Sequence, residues 1–247
     1  MDLTSASTLA FVGAVFLAAG LVKGISGMGL PTLSMALLTL SLPPAAAAAL
    51  MVLPSLLTNI AQCLGPHWRT LAQRLWPMWL CLVLALLFSP LPSLGSGDSR
   101  AHLLLGGILV VYGIWGLMKP SLPDPGRHAR AWGAVAGLLS GLLTASTGVF
   151  TMPMVPFLQS LRLDKAALLQ AMGISFTLAT LALAARLGGA SAFALSGTQL
   201  AGIGLALASA LLGMWAGSRL VGRLPAAVFQ RILYGVFLAL GGLMLIY

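Results

Sequence analysis

Apolar runs lie at about 9–41, 44–63, 76–94, 101–118, 131–160, 166–185, 193–217 and 228–247, with only short polar stretches between them. Runs of 18 or more apolar residues predict helices that cross a bilayer. The first and fifth runs are too long for one ordinary span. Both are interrupted centrally by Gly, Ser or Thr, and Pro, in "GLVKGISGMGLP" from Gly20 and "TASTGVFTMP" from Thr144. No polar stretch is long enough for a soluble domain. The first run lacks a basic start and is followed by more of the same, so it reads as a retained span and not a signal peptide.

Sliding the chain by 121 residues superposes the two broken runs. Gly20, Leu21, Gly27, Leu37, Met51 and Ala61 are among the positions that then meet identical residues between Gly141 and Ala182. A duplicated unit is the expectation, with residues 1–120 as the first transmembrane repeat and 121–247 as the second. Basic residues choose between two topologies. If each broken run crosses once, Lys and Arg divide evenly between the faces. If each enters and returns as a hairpin, Arg69, Arg74, Lys119, Arg127, Arg130, Arg162, Lys165, Arg219, Arg223 and Arg231 share one face, and Arg100 and Arg186 take the other. The second split is the asymmetry expected of cytoplasmic loops. The predicted fold is therefore an all-α polytopic membrane protein built of two inverted repeats. Each repeat is a broken helical hairpin plus three transmembrane helices, and both termini lie outside the cytoplasm. Hairpin arms of about 14 residues rise roughly 21 Å, which places the tips just past the middle of the bilayer.

Composition agrees. Hydrophobic residues make up 59% of the chain and charged residues 7%, against about 25% charged in soluble domains. The net charge of +9 sits in loops between the runs and forms no single patch, so nucleic acid is not an expected partner. The lipid bilayer and a small anion are the expected partners, with homo-oligomerisation left open. Cys63 and Cys81 form no motif. His, Cys, Asp and Glu never cluster at metal-ligand spacing, so neither a metal nor a cofactor is expected.

The broken segments carry the chemistry. Deep in a bilayer, irregular backbone survives only inside protein or beside a wet cavity. Gly24, Gly27 and Gly29 permit a tight turn, and Pro31 suits the start of a return helix. Thr144, Ser146, Thr147, Gly148 and Pro153 repeat the arrangement in the second half. Free N–H groups at a helix start attract anions. Lys23 adds a full charge, and no Asp or Glu lies in any predicted span to neutralise it. A visiting anion is the economical partner. Lys23, Ser26, Thr147 and the backbone after Gly29 and Gly148 form the expected site, with Asn59, Ser175 and Thr177 as flanking candidates. Gln62, Gln170 and Thr180 offer similar groups. Plainer readings stand beside this one: glycines four apart, such as Gly20/Gly24 and Gly213/Gly217, serve close helix packing, and a lysine in one long helix could reach the headgroups.

"GISG" at Gly24–Gly27 also matches the signature of rhomboid intramembrane serine proteases. That chemistry needs a histidine base on a later membrane helix, and no histidine follows His128. No catalytic residue is therefore assigned. Together with "PPAAAAALMVLPSLLTNIAQ", "QAMGISFTLATLALA" and the closing "GMWAGSRLVGRLPAAVFQRILYGVFLALGGLML", the first hairpin resembles the TauE/SafE family of sulfite and sulfonate exporter-like permeases. That resemblance covers nearly the whole chain. It implies a secondary transporter in the bacterial inner membrane that exports small sulfur-containing anions such as sulfite or sulfonates. An anion channel is the alternative.

Overall fold

The computed structural model describes residues 5–91, 94, 99–118, 122–188, 197–221 and 226–246. The chain forms helices α1 (Ala6–Ser26), α2 (Leu30–Leu38), α3 (Pro44–Cys63), α4 (Trp68–Leu87) and α5 (Ser99–Met118), then α6 (Ala129–Thr147), α7 (Met154–Ser160), α8 (Lys165–Gly188), α9 (Gly197–Leu220) and α10 (Ala226–Ile246). The fold is all-helical, and six of its helices are long and apolar enough to cross a membrane. Lys119, Arg223 and Tyr247 lie outside the described residues.

Both long apolar runs break where glycine allows it. α1 starts on Ser5, whose hydroxyl accepts the Thr8 N–H, and stops at Gly27 in the left-handed region (φ 77°), whose N–H bonds the Lys23 carbonyl. α6 ends the same way at the matching position, with Gly148 (φ 68°) donating to the Thr144 carbonyl. A left-handed glycine is the usual helix stop because a Cβ there is strained. The chain then re-enters helix at Leu30–Pro31 and at Met154, directly after Pro153.

The arms are unequal, which differs from the expectation of about 14 residues each. α1 has 21 residues and α6 has 19, while the returns α2 and α7 have nine and seven. At 1.5 Å per residue, α1 alone rises about 31 Å, the full depth of a hydrocarbon core. In the first return, Leu40 is apolar but lies outside the helix, so it lengthened the hydrophobic run without lengthening α2. α4 also begins earlier than its apolar window, at Trp68, because helix continues through Arg69 and Arg74 on its exposed side.

Helix packing crosses the two halves. α1 packs chiefly on α9, α6 on α4, α3 on α8 and α5 on α10. A Cβ added at Gly20 or Gly24 would strike the Ala210 or Met214 carbonyl, and one at Gly213 or Gly217 would strike the Leu17 or Leu21 carbonyl. α1 and α9 are thus parallel and meet backbone to backbone. Gly137 and Gly141 meet the Met78 and Leu82 carbonyls in the same manner, so α4 and α6 are parallel too. The close-packing reading therefore holds for Gly20, Gly24, Gly213 and Gly217. α5 and α10 run antiparallel, with Gly106 against Gly241 and Gly113 against Tyr234 and Leu238.

Polar side chains tie helix ends together. Gln170 donates to the Cys63 and Gly65 carbonyls and accepts the His67 N–H, closing the end of α3. Arg186 donates to the carbonyls of Leu86, Leu87, Ser89 and Leu91, closing the end of α4. A cation suits that negative helix end. Trp79 donates its indole N–H to Ser175 Oγ at 2.8 Å, joining α4 to α8.

Candidate functional site

Lys23 sits one turn before the end of α1 and is only 2% exposed. Its side chain is packed inside the bundle and does not extend from its surface. Its ammonium turns inward to α3, donating to Thr58 Oγ1 at 3.1 Å and to Asn59 Oδ1. Thr58 passes its own hydroxyl proton to the Pro54 carbonyl at 2.7 Å, which leaves its oxygen free to accept from the lysine. Among the described residues no carboxylate meets this ammonium. Asp124 lies before α6, and Asp164 lies just before α8 with Oδ1 accepting the Ala167 N–H.

Lys23 lines a cleft of about 430 Å³ together with Gly24, Ser26, Gly27 and Gln62, and with Lys165, Leu169, Trp215 and Ser218 from α8 and α9. The cleft lies at the bundle end where α1, α3 and α9 finish and α8 starts. Arg219 stacks over Trp215 at 4.3 Å beside it. Its chemistry is mixed: two lysines, an amide and two hydroxyls, set against an indole and aliphatic carbon. Such a lining offers charge and hydrogen bonds to a polar ligand of modest size and packing to any apolar part of it.

Several sequence candidates meet here and others do not. Lys23, Gly24, Ser26 and Gly27 line the cleft, and Asn59 holds Lys23 from behind. Ser26 Oγ also serves the turn itself, donating toward the Val22 and Met28 carbonyls and accepting the Met28 N–H. Gly29 (φ 98°) and Pro31 open α2 on the far side of that turn. Thr144, Ser146, Thr147 and Gly148 are wholly buried or part of the second turn, where Thr144 and Thr147 bond local carbonyls. Pro153 borders a separate apolar cavity of about 450 Å³ between α5, α6 and α7. Ser175 faces Trp79, and Thr177 faces Cys63 at 3.2 Å.

The two hairpins do meet. Thr32, in the first turn of α2, stands 3.2 Å from Thr151, whose carbonyl accepts the first N–H bond into α7. Gly148 lies against the Met35 side chain. The starts of both return helices therefore face each other through a pair of hydroxyls. Lys23 and Thr144 occupy matching positions in the two halves, as do Asn59 and Thr180, so the full charge is present on one side only.

Thr58, Lys165, Trp215 and Ser218 had no signal in the sequence that joins them to Lys23, because they come from helices far along the chain. Gln62 stood out as an amide late in an apolar run.

The described helices form a multi-pass bundle with a basic, partly apolar cleft at one end, an architecture suited to a membrane transporter. The chain matches the family described as Sulfite exporter TauE/SafE over residues 12–244, and it belongs to that family. Family members are transporters and not enzymes. No curated protein and no solved structure gives a match.

Proposed function

We propose that the protein is a secondary exporter of small sulfur-containing anions, sulfite or short sulfonates, across the bacterial inner membrane. The observation that carries this reading is Lys23, a cation held inside the bundle on neutral oxygens at the floor of an open cleft. An unpaired buried charge is costly unless an opposite charge visits it. Lys165 at the rim adds attraction for the same ligand.

In this reading the halves are inverted repeats and both termini lie outside the cytoplasm. Arg69, Arg74, Arg130, Lys165 and Arg219 all sit at the end of the bundle where the cleft opens, which favours that end as cytoplasmic. The cleft then faces the compartment from which an exporter collects cargo. Alternating access moves the first hairpin and its partners so that Lys23 is next exposed on the other side. An inside-negative potential drives a monoanion outward by about 2.3 kcal/mol per 100 mV, so export needs no proton relay.

The test is flux in proteoliposomes, with sulfite, sulfoacetate, other sulfonates and carboxylates loaded in turn. Saturable, selective efflux supports the exporter. Efflux that stays linear with concentration at channel-like rates would identify an anion channel instead. A reporter fused after Tyr247 is expected to be active only outside the cytoplasm.

A further inference from the structure

Many hydroxyls buried in this bundle fold back onto the preceding helical turn. Ser34 donates to the Leu30 carbonyl, Thr58 to Pro54, Ser175 to Ala171 and Thr180 to Phe176. Ser146 near the end of α6 and Ser55 in mid-α3 depart from it, each fully buried with an Oγ that has no partner, and Ser55 begins a series along its helix. One turn on, Asn59 is also fully buried. Its Oδ1 takes the Lys23 proton, which fixes the amide and leaves Nδ2 without a partner. A further turn on, Gln62 gives Nε2 to the Gly27 carbonyl at 3.0 Å and leaves Oε1 unpartnered. The unsatisfied groups thus recur at 55, 59 and 62, the spacing of one helix face. Thr58, the other contact of Lys23, lies on the same side.

Pro54 adds to the demand. It supplies no N–H to the Leu50 carbonyl, so α3 carries a gap in its ladder beside Ser55. Unpaired polar groups in a membrane interior persist only where protein or water answers them. Gln62 lines the cleft, and Asn59 and Ser55 follow it inward along α3.

We propose that this face of α3 is a hydrated seam, and that the anion passes from the cleft along Gln62, Asn59 and Ser55 between α3 and the first hairpin. Donor groups at 55 and 59 and the ammonium of Lys23 suit an oxyanion, while the Gln62 oxygen suits the water that travels with it. The route rests on the transport reading for its cargo. The seam's hydration does not.

The experiment places single cysteines at Gln62, Asn59 and Ser55 in a Cys63→Ser, Cys81→Ser background and measures their reaction with a sulfonate-bearing methanethiosulfonate reagent. Ser140→Cys is the control, because Ser140 is equally buried but its oxygen accepts the Met154 N–H. Reaction at all three positions is expected, at least tenfold faster than at Ser140→Cys and slowed by sulfoacetate. Reaction at Gln62→Cys with Ser55→Cys no faster than the control would overturn the route. Ser55→Val, which fills the seam, provides a second reading in protein that elutes as a single species. Flux is expected to fall at least tenfold, and unchanged flux also refutes the proposal. If the unmodified protein moves none of the anions while the three cysteines react, the transport reading fails and the wet seam stands.

Discussion

Replacing Lys23 by Met keeps an unbranched side chain one atom shorter and removes its charge. Two effects of opposite sign follow from the contacts. A cation about 4 Å from an oxyanion gains roughly 4 kcal/mol at an effective dielectric of 20. The variant should therefore lose about two to three orders of magnitude in anion affinity, at roughly 1.4 kcal/mol per tenfold. Folding behaves differently. Burying an ammonium without a counter-charge costs several kcal/mol, and that cost disappears in the variant. Asn59 Oδ1 loses its donor, at about 1–3 kcal/mol, whereas Thr58 keeps its bond to the Pro54 carbonyl. The balance is a melting temperature unchanged or raised, in a protein that no longer moves sulfite. Proteoliposome efflux and thermal melting in detergent, with and without sulfite, measure both sides. Ligand-dependent stabilisation should appear in the native protein and vanish in the variant. Lys23→Met protein that melts well below the native one would show the lysine to be a structural strut. Native-like flux would show that the anion does not rest on it.

Other outcomes follow from the packing. Gly213→Val should destabilise by about 1–3 kcal/mol or more, because its side chain meets the Leu17 backbone; Gly107→Ala, with nothing within 4 Å, should not, and melting curves compare them. Gln170→Leu removes three hydrogen bonds that close the end of α3 and should cost about 2–4 kcal/mol at roughly 1 kcal/mol per bond, read as a lower melting temperature. The Ala167 N–H, aided by His67, holds the Asp164 carboxyl below its usual range. Its contribution is present above the unfolded value near 4 and is lost as pH falls further. Asp164→Ala should therefore flatten that small acid-side loss in a melting series from pH 3 to 7.

Much of the fold was legible because glycine and proline act locally. Gly27 and Gly148 fix where each long run must stop, and matching caps 121 residues apart follow from matching sequence. The lengths of the limbs were not legible. Leu40 looks like helix to any hydropathy scale, yet it lies outside α2. Partners were hidden for a different reason. Glycines at 20, 24, 213 and 217 mark faces that want close contact, but only the folded bundle shows that they meet one another. Lys23 was visible as an ion without a partner acid. Its oxygens on Thr58 and Asn59 fall one helical face away on α3, a register that sequence alone does not set. For Trp79, position along a span says nothing about whether the ring turns outward to lipid or, as here, inward to Ser175.

The cross-half packing of α1 on α9 bears on how the protein is made. α1 leaves the ribosome about 190 residues before α9 is complete, which at 5–20 residues per second is roughly 10 to 40 s. Through that interval its glycine-notched surface borders lipid or an insertion factor, and the first half is an open structure awaiting its mate. Nascent chains stalled before Gly197 should therefore be unusually sensitive to membrane proteases, and the two halves expressed as separate polypeptides should survive only when both are present.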